Sequence, residues 1–151
     1  MAQIPFTLRE LRRAWVSLHA ASKQLPRGNA HRLLLLYAIE CGLKAVWIKR
    51  ESRTLYDGKD ASGNSIGGPS GHDLSEVIKQ LRLGVVLPLS FDLNEAKDER
   101  KNPVARRPQR IDALHQAWRY GGELVSPPVD DAAMEQKLEA VQRLIEKEFL
   151  S

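Results

Sequence analysis

The chain has 151 residues and a mass of 17.0 kDa, enough for one hydrophobic core and a single domain over 1–151. With 42% hydrophobic and 28% charged residues it has the balance of a folded domain rather than a disordered chain. One cysteine, Cys41, excludes an intramolecular disulfide and a multi-cysteine zinc site, and a reducing cytoplasm is the expected compartment.

The first residues, Met1 to Thr7, lack a charged segment followed by an apolar one, so no leader is expected. The densest apolar stretch, Leu33 to Ile48, is 16 residues long and carries Glu40 and Lys44, so no membrane span is expected. The formal charge is +4, and 14 of the 23 basic residues are arginine. Planar guanidinium groups pair well with phosphate, which tilts the expectation toward an anionic partner.

In chain order, Thr7 and Glu10 form a capping box, with Phe6 placed to staple onto Leu11. Leu11, Ala14, Trp15, Leu18, Ser22 and Leu25 then follow a helical period, ended by Pro26 and Gly28. Arg9, Arg12, Arg13 and Lys23 fall mostly on the outer side. Asn29 is placed to cap a second helix from Ala30 to about Arg53, apolar nearly all round and so expected at the centre of a bundle or in a subunit interface. Gly42 inside it suggests a close helix approach.

Residues 57–71 hold five glycines and one proline, the composition of a flexible linker, and no Gly-Lys-Ser/Thr follows to make a P-loop. A short third helix is expected from Asp73 to Leu83, capped by Asp73 and Glu76. Pro88 argues against an interior strand over Val85–Leu89, and the charged stretch from Asp92 to Arg107 reads as irregular, with a helical turn or two at most. Pro108 is placed to open a fourth helix through Tyr120, closed by Gly121 and Gly122. The last helix runs from Asp130 to about Leu150 with Met134, Leu138, Val141, Leu144 and Ile145 in register. With no hairpin signal, the expected fold is all-α, an antiparallel bundle of four long helices plus a short one.

Of four histidines, none has metal-ligand spacing with a partner, so neither a metal nor another cofactor is expected. The fourth helix concentrates the chemistry. Ile111, Leu114 and Trp118 form an apolar stripe, His115 borders it with Asp112 and Arg119 beyond, Arg110 flanks the other side, and Arg106 and Arg107 precede it. Metal-independent RNA cleavage needs a base for the ribose 2′-hydroxyl and a cation for the phosphate, which a histidine beside arginines supplies. The same residues also fit a boundary histidine with a surface Asp112–Arg119 ion pair.

Three stretches together give a resemblance: the apolar helix Leu34-Leu35-Leu36-Tyr37-Ala38-Ile39-Glu40-Cys41-Gly42-Leu43-Lys44-Ala45, the Gly71-His72-Asp73-Leu74 opening of the third helix, and Arg110 to Tyr120. The layout, over about residues 8–148, resembles the HEPN superfamily of small helical bundles from prokaryotic toxin–antitoxin and antiviral systems. Many members are RNases with an Arg-x(4–6)-His motif meeting across a homodimer interface, and Arg110-Ile-Asp-Ala-Leu-His115 fits it.

The resemblance implies a homodimeric, metal-independent RNase. Arg110 and Arg119 would steady phosphate, His115 would act as acid or base, and Asp112 would orient the imidazole. Arg106, Arg107, Arg119 and Tyr120 would bind RNA or a nucleotide. A second branch, often partnered with nucleotidyltransferases, carries Arg-Tyr-Pro where this chain has Arg119-Tyr120-Gly121. It implies the alternative: a non-catalytic module binding a nucleotide, an antitoxin or a nucleotidyltransferase.

Overall fold

The structure, a computed structural model, describes residues 4–97 and 103–150, with the side chains of 94–97 and 103–106 outside that description. It is mostly helical. Three long helices, α1 (Leu8–Ser22), α2 (Asn29–Glu51) and α5 (Asp131–Leu150), are joined by two short ones, α3 (Leu74–Gln80) and α4 (Leu114–Arg119). Four long helices are therefore not what the chain forms, and strands are present. Phe6–Thr7 (β1) and Leu55–Tyr56 (β2) pair antiparallel, and a second antiparallel sheet has the order β4-β3-β5, with β3 Ser90–Lys97, β4 Pro103–Arg110 and β5 Leu124–Val125.

Helix α1 starts as its capping box dictates: the Thr7 Oγ1 accepts from the Glu10 backbone N–H at 3.1 Å, and the Thr7 N–H donates to the Glu10 carboxylate at 3.0 Å. It buries Leu11, Trp15 and Ser22, but ends before Leu25, which is 79% exposed and does not extend the apolar face. Helix α2 begins one residue earlier than expected. Gly28 is its N-cap, and Asn29 instead donates from its amide to the Gly122 carbonyl at 2.9 Å, tying the start of α2 to the turn after α4.

Helix α2 is covered on almost every side: Leu35, Leu36, Ala38, Ile39, Leu43, Ala45, Val46, Trp47 and Ile48 are all buried. At Gly42 side chains of α1 and α5 come close to the α2 backbone. A Cβ added there would stand 2.8 Å from Ile145 Cδ1 and 3.0 Å from Trp15 Cδ1. Alongside it the Trp15 indole N–H donates to the buried Gln142 Oε1 at 2.6 Å, satisfying both polar groups inside the core. The outer seams are ionic. Arg32 meets Glu135 at 3.1 Å, Lys23 and His19 both meet Glu139, at 3.0 and 3.2 Å, and Arg50 meets Glu148 at 2.7 Å.

The stretch from Asp92 to Arg107 corrects the sequence reading most. In place of irregular chain it holds a hairpin, with Ser90 opposite Arg110, Phe91 opposite Gln109, Asp92 opposite Pro108 and Leu93 opposite Arg107. Phe91 and Leu93 point into the core. Pro108 does not open a helix. It lies in β4, the outer strand of its sheet, where a residue without an N–H is tolerated. The helical turn comes three residues later, at Ile111–Ala113, and leads straight into α4.

Replacing Gly42 by alanine should lower stability by up to about 2 kcal/mol in urea unfolding. Overpacking of about 1–3 kcal/mol outweighs the helix-propensity gain of about 1 kcal/mol. Stability equal to or above wild type would show that Ile145 and Trp15 yield freely.

Candidate functional site

Tyr37, Glu40 and Lys44 form a polar stripe on one side of helix α2, spaced at three and four residues, whereas Arg32, Lys49 and Arg50 reach α5. The segments laid against that stripe bring two of the chain's four histidines. The loop entering α3 brings His72, and α4 brings His115. Their rings meet with centroids 4.5 Å apart and planes tilted by 35°.

Each histidine is held from behind. The His72 Nδ1 lies 3.4 Å from the Glu40 Oε1, a carboxylate whose side chain is only 12% exposed. The hydrogen bond to Glu40 is the main force raising the His72 pKa above its ordinary value. Burial and Lys44 oppose it, and the charges of Glu40 and Asp112 add to it. Burial does the reverse to His115, lowering its pKa, with the neighbouring His72 and then Arg119 acting in the same direction. Glu40 and a hydrogen bond to the Asp112 backbone carbonyl only partly offset this. Environments that push two adjacent imidazoles apart favour a protonated His72 beside a neutral His115.

The position of α4 rests on buried anchors. Ile111, Leu114, Ala117 and Trp118 face the core, and the Trp118 indole N–H donates to Asp131 Oδ1 at 2.8 Å. That same oxygen accepts from the Leu124 N–H at 3.2 Å, pinning the turn after α4 to the start of α5. The apolar stripe Ile111, Leu114 and Trp118 read from the sequence is buried as a unit, which leaves His115 at its border, half-buried.

The arginines distribute unevenly. Arg119 is exposed and donates to the Tyr37 hydroxyl, a bond that raises its pKa, with Tyr120 contributing as well. It therefore turns toward α2 and a tyrosine rather than toward Asp112. Tyr120 itself is 77% exposed. Arg110, 76% exposed, ends β4 with its guanidinium 3.9 Å from Asp73 Oδ2, the N-cap carboxylate next to His72. Arg107 lies in β4 opposite Leu93. The Arg106 side chain lies outside the described residues. Asp112 meets His115 through its backbone carbonyl, and its carboxylate charge is felt at His72.

Among the residues singled out from sequence, His115, Asp112, Arg119 and Arg110 thus gather around one cluster. Glu40, Tyr37 and Lys44 complete it and were not assigned roles from sequence. The signal available was their common face on an otherwise apolar helix. Cys41 lies beside this face, half-buried, and burial raises its thiol pKa, the opposite of a nucleophile's environment. Among the described residues no group of three or more His, Cys, Asp or Glu is arranged to hold a metal ion, and no helix is long and apolar enough to cross a membrane. Compared with known protein families, curated proteins and solved structures, the chain matches none.

Glu40→Gln should move the His72 titration to lower pH, since the main raising interaction is weakened and the fixed negative charge removed. His115 should follow downward, because Glu40 raises it too. NMR titration of the imidazole C–H signals reads both directions. An unmoved His72 would break the link between these side chains.

Proposed function

We propose that this chain is a HEPN-like, metal-independent endoribonuclease of a prokaryotic toxin–antitoxin or antiviral system. The observation that supports it best is the His72–His115 contact, two imidazoles at 4.5 Å whose surroundings shift their pKa values in opposite directions. A base and an acid within reach of one phosphate are what ribose-assisted cleavage needs.

In this reading neutral His115 takes the proton of the ribose 2′-hydroxyl as that oxygen forms its bond to phosphorus. Protonated His72 gives its proton to the 5′ oxygen as the phosphorus–oxygen bond to it breaks. The products are a 2′,3′-cyclic phosphate and a free 5′-hydroxyl. Arg119, whose charge acts on His115, and Lys44, whose charge acts on His72, would stabilise the charge that builds on the phosphate oxygens, and Arg110 would steady the strand at the rim. Glu40 keeps His72 charged, and the Asp112 carbonyl holds the His115 ring. A homodimer goes with this reading, as do a cytoplasmic location and RNA as the partner.

A second reading rests on Tyr120, a large aromatic side chain left exposed beside Arg119. An aromatic face next to a guanidinium suits a nucleotide base and its phosphate, or a partner surface, without any bond being broken. In that case the protein is a non-catalytic module for a nucleotide, an antitoxin or a nucleotidyltransferase, and Arg119→Ala abolishes binding while His115→Ala does not.

Purified protein should cleave single-stranded RNA in EDTA, leaving 2′,3′-cyclic phosphate ends. His115→Ala and His72→Ala should each reduce the rate about 10²–10⁴-fold, the usual worth of a positioned acid or base. The pH–rate profile should be bell-shaped. Its rising limb follows His115 deprotonation below the ordinary imidazole value of about 6.5, and its falling limb follows His72 deprotonation above it. Cleavage that survives both substitutions, or none in wild type, would remove the nuclease reading and leave the binding module.

A further inference from the structure

The segment 57–71 is folded rather than slack, and it builds the wall of a second site. Lys59 and Ser65 pair as an antiparallel bridge, and the Ile66 N–H donates to the Gly58 carbonyl at 2.9 Å while its side chain is buried. The Asp60 carboxylate accepts from the Ser62 and Asn64 N–H groups, both at 2.9 Å, closing the tip. The base is pinched at Gly67, whose φ is +81° and where a Cβ would stand 2.8 Å from the Gly71 carbonyl oxygen.

Between this loop and α2 lies a cleft of about 490 Å³, within the range of roughly 300–1,000 Å³ that accommodates small ligands. Its walls include Lys44, Tyr56, Asp57, Lys59, Gly68 and Ser70. The charge balance favours an anion. Lys44 and Lys59 supply two ammonium groups, whereas the Asp57 carboxylate is engaged by Arg53 at 3.5 Å and by the Lys59 backbone N–H at 3.0 Å. Tyr56 offers no anionic competition, since burial pushes its hydroxyl up to about 12. Its side chain is buried, with the Lys44 ammonium 5.3 Å from the ring centroid, so a ligand meets ammonium and loop backbone rather than an aromatic face.

Two features connect the cleft to the histidine pair. Lys44 lines the cleft and also acts electrostatically on His72. Ser70 lines it as well, and its Oγ accepts the His72 backbone N–H at 3.2 Å. We infer that this cleft is a nucleotide subsite, holding the ribonucleoside phosphate that adjoins the one cleaved at His72 and His115. It rests on the nuclease reading for its role in substrate binding, while nucleotide occupancy can be read without cleavage. Lys44 spans the two phosphates, Lys59 closes over the outer one, and the ribose and base lie along Gly68 and Ser70. With no aromatic platform in the cleft, recognition is directed at the ribose-phosphate and is tolerant of base identity.

The test is titration of the full chain with AMP and UMP, with adenosine and inorganic phosphate as separate arms, followed by amide NMR. Both nucleotides should shift the signals of Gly58, Lys59, Gly68 and Ser70. The exposed variant Lys59→Glu should weaken binding by about tenfold or more, the worth of a charge-assisted hydrogen bond. Shifts confined to other regions, none at all, or the same response to inorganic phosphate as to AMP would overturn the subsite. RNA cleavage assayed on the same preparations separates the two claims. Nucleotide shifts in the cleft without cleavage retain a nucleotide site there but remove the nuclease and the site's place beside a cleaved phosphate, whereas cleavage without those shifts retains the nuclease and removes the subsite.

Discussion

Ten residues of α2 are buried, spread around its circumference, so neighbours have to be supplied on almost every side. Helices α1 and α5 take one flank, locked where Gly42 lets Trp15 and Ile145 approach the backbone. The other flank is covered by smaller pieces: the loop 57–71, α3 and α4. Short elements cannot hold themselves in place by helix propensity alone, and each here is fastened by specific bonds. Asp73 caps α3 by accepting the Glu76 N–H at 3.1 Å, and Asp131 fixes α4 through Trp118. The chemistry lies on this second flank, where the polar stripe of α2 meets those short pieces.

That arrangement explains why two imidazoles can sit in contact. Two protonated rings at this distance would repel, and two neutral ones would have no reason to differ. Glu40 breaks the symmetry. It is nearly buried, so its charge is poorly screened, and it makes its hydrogen bond to one ring only. Lys44, one turn further along the same helix, keeps the local charge from becoming wholly negative and carries the positive field out toward the loop cleft. The spacing of Tyr37, Glu40 and Lys44 therefore orders three interactions along one line: a hydroxyl for Arg119, a carboxylate for His72 and an ammonium for the cleft.

The helix starts were legible wherever the signal was local. The capping box of Thr7 and Glu10, and Asp73 ahead of α3, concern residues three apart and require no knowledge of the rest of the chain. The hairpin was not legible for the converse reason. Phe91-Asp92-Leu93 is too short an alternation to stand out, and Pro108 fits the first turn of a helix as well as an outer strand. Only the pairing of 90–93 with 107–110 decides between them, and pairing is a tertiary fact. Asn29 failed similarly: a good capping residue was drawn away by the Gly122 carbonyl, 93 positions distant.

The candidate site divides along the same line. His115 and its bordering stripe could be read because the turn Ile111–Ala113 and α4 together bury Ile111, Leu114 and Trp118. The contact of His72 with Glu40 spans 32 positions and joins a loop to a helix, so no spacing rule reaches it. What the sequence did contain was a contradiction in α2, a helix apolar enough to be buried yet carrying a tyrosine, a carboxylate and a lysine on one side. A buried carboxylate needs a partner that can take up its charge, and a histidine in the facing loop meets that need while gaining a raised pKa in return. Polar residues that recur on one face of a central helix are thus the place to look for what the neighbouring loops bring.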